Sequence, residues 1–176
     1  MQLLTFTVGS ELYAIESRRV IEVLPLVPAR AIPRAPAYIR GVFTYRGKLV
    51  PLVDLGRRLA DAPLRERLST RVIVVACDPP EAMGTPASFR LGIVAENVLA
   101  VRSTTASDPS LTPLHVPGAP YLGRLLRIDD RTVQLLAVEH LLPRDIAAGL
   151  ADNVTAGVDA AAAVTGPQLP LTSRSS

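Results

Sequence analysis

The sequence is poor in the side chains from which most active sites are built. It has no tryptophan, one cysteine (Cys77) and two histidines (His115 and His140). A single cysteine excludes an internal disulfide and fits a reducing compartment. These residues are not clustered as the ligands of a zinc site are. We therefore predict no metal and no cofactor, and a structural role for Cys77 as a small buried hydrophobe.

Long apolar runs and phosphate-binding loops are also missing. No stretch of about 18 apolar residues is available for a transmembrane helix. The N-terminus lacks the basic start and apolar segment of a signal peptide, so we expect a cytoplasmic protein. Neither GxxxxGK[ST] nor GxGxxG occurs, which removes the usual phosphate cradles. Lys48 is the single lysine among 19 basic residues, and the net charge of +3 does not by itself indicate a polyanion partner.

Nucleophilic catalysis needs a nucleophile beside a base and a group that orients the base. The two histidines, His115 and His140, each stand in a proline-rich or leucine-rich setting. Asp54 follows a strand-like stretch, where it could be a phospho-acceptor or the cap of a short helix. A receiver domain would need repeated parallel strands with crossover helices, so capping is the better interpretation. We predict that the protein is not an enzyme.

What is present is the signature of β-strands. Apolar and polar residues alternate over residues 4–8, which is the period of a half-buried strand. Residues 71–77 are β-branched and almost continuously apolar, as in a strand buried on both faces. Residues 41–45 and 48–53 flank Arg46 and Gly47, a pair that predicts a hairpin turn. Further strands are predicted at 12–15, 89–95, 99–103, 121–128 and 132–138. Sixteen prolines argue against a helical bundle, so the predicted class is all-β with two or three short helices.

An internal echo indicates two related halves. Residues 50–55 resemble residues 133–138 at a shift of 83 (133 − 50). Residues 15–23 resemble residues 93–101 at a shift of 78 (93 − 15). The order and spacing favour two small barrels of roughly 70 residues each, packed together. The pattern leaves open whether each barrel is contiguous or exchanges strands with the other.

The composition changes near residue 147. Residues 147–176 are rich in Ala, Gly, Ser, Thr and Pro and offer little apolar surface to offset the entropy of ordering. We therefore predict a folded region over residues 1–146 and a disordered tail over 147–176.

A small double barrel could also bind single-stranded nucleic acid, which requires aromatic platforms beside a basic groove. Tyr38, Tyr45 and Tyr121 are the candidate platforms. A basic stretch is formed by Arg57, Arg58, Arg65, Arg67 and Arg71 and is interrupted by Asp61 and Glu66. A solvated face is the favoured interpretation of this stretch. This binding module is the alternative function.

Five short elements together resemble the central signature of CheW domains. They are residues 20–23, 32–36, 38–42, 45–47 and 50–55, in the order and at the spacing of that family. The resemblance covers residues 2–145 and implies two intertwined five-stranded barrels without catalytic activity. It also implies an adaptor between the cytoplasmic tip of a methyl-accepting chemoreceptor and the regulatory domain of a CheA-type histidine kinase.

The resemblance extends to the binding residues. Glu22 and Arg46 are similar to the family's paired acid and base near the receptor-binding surface, a pair that could equally fasten the hairpin to its own barrel. Val20 and Val42 are similar to apolar members of the receptor groove, or they are core residues. Gly41 and Gly47 are similar to glycines that allow tight turns and the close approach of a partner helix.

One departure from the family concerns the residues before the turn. Thr44 and Tyr45 occupy positions where the family often has Asn-Leu. Together with residues 117–123 (Pro-Gly-Ala-Pro-Tyr-Leu-Gly), this resembles the adaptors of Wsp-type surface-sensing systems, which would place a diguanylate cyclase response regulator downstream instead of a flagellar motor.

Overall fold

The computed structural model describes residues 1–78, 89–98, 101–103, 116–143 and 146. Three short helices accompany the strands: Ser17–Arg19, Leu55–Ala60 (α1) and Val138–His140. The first and the last of these helices are 3-10 turns. The described residues form ten strands: β1 (Gln2–Val8), β2 (Glu11–Glu16), β3 (Val20–Pro25), β4 (Ile39–Tyr45), β5 (Lys48–Asp54), β6 (Thr70–Cys77), β7 (Phe89–Glu96), β8 (Val101–Ser103), β9 (Leu122–Ile128) and β10 (Arg131–Leu136). The prediction of an all-β protein with a few short helices is confirmed. The predicted tail at 147–176, the first part of the strand predicted at 99–103, and His115 lie outside the described residues.

The strands form two sets of five. One set runs β3-β6-β7-β5-β4 and the other runs β8-β1-β2-β10-β9, in the order in which neighbours are hydrogen-bonded. The sets meet where Thr7 of β1 pairs with Glu96 of β7. Closure of each set into a barrel stays a prediction.

Strand pairing shows that the two halves of the sequence exchange strands. The hairpin β1–β2, from the first half, pairs with β8 and β10 from the second, while β6 and β7 pair with β3 and β5. In the parallel pairs, Leu52 of β5 lies opposite Gly92 of β7, and Leu135 of β10 lies opposite Ala14 of β2. Leu135 follows Leu52 at the shift of 83 (135 − 52), and Gly92 follows Ala14 at the shift of 78 (92 − 14). The two parallel pairs are therefore equivalent positions of the two halves. The internal echo therefore reflects a repeated fold whose halves are interleaved.

The periodicity of the sequence does not predict β3. A bulge between Val20 and Glu22 shifts its register against β6 and interrupts the alternation of inward and outward residues. Pro25 ends the strand at the edge of its set, where a missing amide hydrogen is tolerated. This edge strand carries Glu22, so the unpredicted element is also part of the candidate site.

The main hydrophobic core draws on both sets. Phe6 of β1, Leu52 of β5, Ile73 of β6, Ile93 of β7 and Leu141 are fully buried in it. A smaller cluster of Leu3, Ala14 and Val133 lies between β1, β2 and β10. Because strands of both halves share one core, neither half buries its apolar face alone. Within the described ranges, no helix has both the length and the apolar character needed to cross a membrane.

Asp54 caps α1, as predicted. Its buried carboxylate oxygen Oδ1 accepts hydrogen bonds from the amides of Gly56 (2.9 Å), Arg57 (3.3 Å) and Leu64 (3.3 Å). The first two amides belong to the first turn of the helix, whose donors have no intrahelical acceptor. The third fixes the chain ten residues further on. Asp54 thus joins strand, helix and the following segment.

Cys77 lies at the end of β6 and is fully buried, which agrees with the predicted structural role. Burial raises the pKa of its thiol to about 12, and the nearby Glu139 acts in the same direction. The thiol is therefore protonated at any physiological pH, and the thiolate is the reactive form.

We expect Cys77 to be unreactive towards Ellman's reagent at pH 8 in the native protein, because it is both buried and protonated. In denaturant, one thiol per chain should react within minutes, since the sequence contains a single cysteine. Absorbance at the two conditions measures both populations. Fast stoichiometric labelling without denaturant would show that the end of β6 is open.

Candidate functional site

The tip of the β4–β5 hairpin presents the first candidate residues. Arg46 and Gly47 form its turn with φ values of 48° and 75°. Two successive positive φ angles give a type I′ turn, whose twist matches that of the flanking strands. Gly47 adopts this conformation without steric cost, and Arg46 is held with its side chain at the tip.

Glu22 of β3 and Arg46 form the predicted pair. Nη2 of Arg46 lies 3.0 Å from Oε2 of Glu22, with side chains that are 63% and 39% exposed. The hydroxyl of Tyr45 donates a hydrogen bond to the same carboxylate oxygen at 2.5 Å. One oxygen of Glu22 therefore accepts from two neighbouring residues of the hairpin.

Tyr45 was predicted as an aromatic platform for nucleic acid and not as a member of the receptor-binding or kinase-binding set. Its ring is buried, and the guanidinium carbons of Arg46 and Arg90 lie 5.1 Å and 5.7 Å from the ring centroid. The sequence signal that could have identified Tyr45 is that a tyrosine stands where the family often has leucine. A tyrosine at a core-facing strand position buries its ring and needs a partner for its hydroxyl.

The hydrogen bonds shift the acidities of this cluster. The hydroxyl of Tyr45, followed by the charge of Arg46, lowers the pKa of Glu22, while partial desolvation opposes them. The hydrogen bond to Glu22 raises the pKa of Tyr45. A carboxyl group whose pKa is lower in the folded state stabilises the fold at pH values above its unfolded-state pKa. This contribution is lost as the pH falls through the lowered, folded-state pKa. Glu22 is thus charged, and Tyr45 neutral, at neutral pH.

The other predicted site residues are more dispersed. Val20 is half-buried and packs against the main core, opposite Val75 of β6. Val42 is half-buried on β4 and pairs with Pro51. No strand pair joins Val20 to Val42 in the described residues, so a single groove lined by both stays a prediction.

Gly41 requires a correction. At φ 139°, its missing side chain makes room for the chain's own backbone: a Cβ atom there would lie 2.1 Å from the carbonyl oxygen of Arg30. Arg30 and Val42 exchange two backbone hydrogen bonds of 2.8 and 2.9 Å at this point. The space at Gly41 is filled from within and is not open to a partner helix.

The outer face of the hairpin is partly apolar. Cross-strand pairing places Val42 with Pro51 and Thr44 with Leu49, on the face opposite Phe43 and Val50. Leu49 is 40% exposed, and Thr44 is also exposed. Val23 of the edge strand β3 is equally exposed. Apolar surface thus accompanies the Glu22–Arg46 pair on both elements that build it.

The second half repeats this arrangement with the charges reversed. Asp129 occupies the turn of the β9–β10 hairpin, 83 positions after Arg46, and also has a positive φ of 48°. It pairs with Arg102 of β8 at 3.1 Å, as Arg46 pairs with Glu22 of β3. Val101 of β8 is exposed, as is Val23 of β3. The two hairpin tips are related surfaces of opposite charge order.

The tyrosines named as candidate platforms contact arginines of the same chain. The guanidinium carbon of Arg58 lies 4.5 Å from the ring centroid of Tyr38 and 4.2 Å from that of Tyr121. Its Nε donates to the carbonyl of Leu141 at 3.1 Å. The expectation of a solvated face at Arg58 is therefore wrong: this arginine fastens α1 to the segments that flank β9 and β10. Tyr45 and Tyr121 are buried, so their ring faces are not free for bases.

Metal chemistry finds no support in the described part of the chain. No group of three or more His, Cys, Asp or Glu side chains in it could hold an ion. His140 ends the second 3-10 turn, where it is half-buried. The arrangement of exposed ion pairs beside apolar surface suits protein recognition.

Comparison with known proteins agrees with this geometry. The model of the CheW-like domain matches residues 2–145. The chemotaxis protein CheW of Treponema pallidum (strain Nichols) is 32% identical over 133 residues, 72% of each chain. The chemotaxis protein CheW of Klebsiella aerogenes is 31% identical over 155 residues, 87% of each chain.

A solved structure shows the same fold. The scaffolding protein TtCheW from Thermoanaerobacter tengcongensis superimposes with a TM-score of 0.67 at 22% identity, over 81% of this chain and 87% of that one. The family model spans both interleaved halves and both hairpin tips. The chain described here belongs to the family of CheW-like domains.

Proposed function

We propose that this chain is a non-catalytic adaptor in the cytoplasm, coupling a methyl-accepting chemoreceptor to a CheA-type histidine kinase. The observation that carries the proposal is the Glu22–Tyr45–Arg46 cluster, a solvent-accessible ion pair braced from the core. Membership of the CheW-like family supplies the partners. The output is flagellar or, following the Thr44–Tyr45 departure, of the Wsp type.

The receptor contacts the first hairpin tip. Glu22 and Arg46 provide an exposed acid and base, and Val42 and Leu49 provide apolar surface on the adjoining hairpin face. A receptor tip is a helical hairpin, and helices bind proteins through an apolar stripe flanked by polar contacts. Gly47 keeps the turn narrow, and Val20 supports β3 from the core side.

The kinase contacts the second hairpin tip. An adaptor has to hold two partners at once, and the tips at Arg46 and Asp129 belong to different strand sets. Their reversed charge order gives each tip a different electrostatic preference. The regulatory domain of the kinase is itself CheW-like, so it offers hairpin tips of related shape to the Arg102–Asp129 pair.

Replacing Arg46 by glutamate tests the first contact. We expect a nearly unchanged melting temperature, because the Arg46 side chain is 63% exposed and an exposed ion pair contributes little stability. Receptor binding should weaken by at least about tenfold, because two carboxylates then face the partner where an acid and a base stood. Retention on an immobilised receptor cytoplasmic fragment, measured at two salt concentrations, gives the affinity.

Three variants sharpen this experiment. Arg34→Glu, an exposed charge reversal elsewhere, should retain binding. The double variant Glu22→Arg/Arg46→Glu restores an ion pair within the chain. Receptor binding should nevertheless stay weak, because the receptor contacts an acid at position 22 and a base at position 46. Asp129→Arg should leave the affinity for the receptor unchanged and lower the affinity for the kinase. If Arg46→Glu bound the receptor as the wild type does, or if the double variant regained full receptor affinity, the Glu22–Arg46 pair would have only a structural role.

A further inference from the structure

A cavity of about 440 Å³ lies away from both hairpin tips, where β4 begins and β5 ends. Its apolar wall includes Ile39, Pro63 and Leu64, and its charged wall carries two bases and two acids: Arg40, Arg57, Asp54 and Glu66. The Asp54 carboxylate holds the amide of Leu64 at 3.3 Å and so fixes the far wall. The carboxylate that caps α1 therefore also holds one wall of the cavity.

Arg40 enters this cavity with unused hydrogen-bonding capacity. The register of β4 against β5 shifts between Ile39 and Gly41, and such a bulge redirects the side chain of the extra residue. One terminal nitrogen of Arg40, Nη2, pairs with the carboxylate of Glu66. The other, Nη1, is buried and has no hydrogen-bond acceptor within the described residues. A buried guanidinium nitrogen without an acceptor is unfavourable, and an incoming oxygen would relieve that cost.

Arg57 supplies a second cationic group to the same cavity. Within the described segments, no carboxylate lies at ion-pairing distance from its side chain. The nearby Asp54 carboxylate is compensated by three backbone amides, and Glu66 is engaged by Arg40. Arg57 is exposed and is hydrated in the free protein, whereas the buried Nη1 of Arg40 has no acceptor within the described residues, so an oxygen entering the cavity could accept from both guanidinium groups.

We propose that this cavity binds the carboxylate of a glutamate side chain on an acidic peptide segment. The guanidinium groups of Arg40 and Arg57 donate hydrogen bonds to the carboxylate, and the wall of Ile39, Pro63 and Leu64 accommodates the aliphatic stem. A volume of about 440 Å³ is large enough for that side chain with part of its backbone. The site is independent of the adaptor function and lies on residues outside both proposed partner contacts.

The test is a titration followed by ¹H–¹⁵N NMR of the full chain. The probes are the capped tripeptide Gly-Glu-Gly, its glutamine counterpart Gly-Gln-Gly, and free glutarate. We expect saturable shifts of the Ile39 and Leu64 amides with the glutamate peptide and none with the glutamine peptide. Arg57→Gln should weaken binding by about tenfold, the loss of one charge-assisted hydrogen bond. Arg131→Gln, an exposed arginine on β10, should bind as the wild type does.

Each remaining outcome decides the matter. Absence of saturation with every carboxylate probe, equal shifts with the glutamine peptide, or equal weakening by Arg57→Gln and Arg131→Gln would each overturn the site. Saturable binding of glutarate alone would retain the carboxylate chemistry and overturn the peptide as its source. Arg40→Gln serves as a second variant and, if folded, should weaken binding as Arg57→Gln does.

Discussion

Replacing Gly41 by alanine is expected to lower the free energy of unfolding by about 3 kcal/mol. The new Cβ atom would lie 2.1 Å from the carbonyl oxygen of Arg30, a backbone atom that cannot rotate away. The φ of 139° adds strain for any residue with a side chain. Thermal unfolding should show the effect as a drop in the melting temperature of roughly 6–12 °C for a chain of this size.

Gly9→Ala provides the matched control for this experiment. Gly9 also has a positive φ, 61°, but a Cβ atom there would meet nothing within 4 Å. Its substitution should therefore cost only the conformational strain, about 1 kcal/mol. If both variants lost the same stability, the close approach of Arg30 to Gly41 would not contribute, and the segment before β4 would be free to move aside.

Asp54→Ala is expected to destabilise the fold by about 2–4 kcal/mol. The substitution removes the acceptor of three amides at once, those of Gly56, Arg57 and Leu64. Gly56 and Leu64 are buried, so water cannot easily replace the lost acceptor. Urea denaturation should show a lower midpoint with an unchanged slope, since the surface exposed on unfolding stays the same.

Asp54→Asn separates the hydrogen bonds from the charge. The amide oxygen of asparagine can still accept from the backbone, so this variant should retain most of the stability. A loss as large as that of Asp54→Ala would mean that the negative charge, and not the hydrogen bonding, stabilises this junction. Because Asp54 also holds Leu64, the alanine variant should in addition deform the cavity at Arg40.

Strand prediction succeeded where residues alternate or form unbroken β-branched runs. The strands β1, β5, β6 and β7 have these patterns, because their side chains meet one core or two. It failed for β3, whose bulge at residues 20–22 places successive residues out of phase. A bulge depends on the neighbouring strand and leaves no periodic trace in the sequence.

The candidate site was predicted in part. The contact between Glu22 and Arg46 follows the family pattern, and the structure brings the two side chains to 3.0 Å. The contribution of Tyr45 was missed, because its hydroxyl reaches Glu22 only through the pairing of strands far apart in sequence. For the same reason, the basic stretch at Arg58 suggested a solvated face, whereas Tyr38 and Tyr121 enclose this guanidinium group.

The sequence by itself determined the fold class, the hairpin at Arg46 and Gly47, the cap at Asp54 and the existence of two related halves. These features depend on local periodicity, on turn chemistry and on repetition, all of which can be recognised in the order of the residues alone. The tertiary structure alone decided that the halves exchange strands, that Gly41 faces Arg30, and that the second hairpin tip carries the reversed pair of Arg102 and Asp129. Such contacts join residues distant in sequence, and the apolar pattern of a strand is the same whichever neighbour it pairs with.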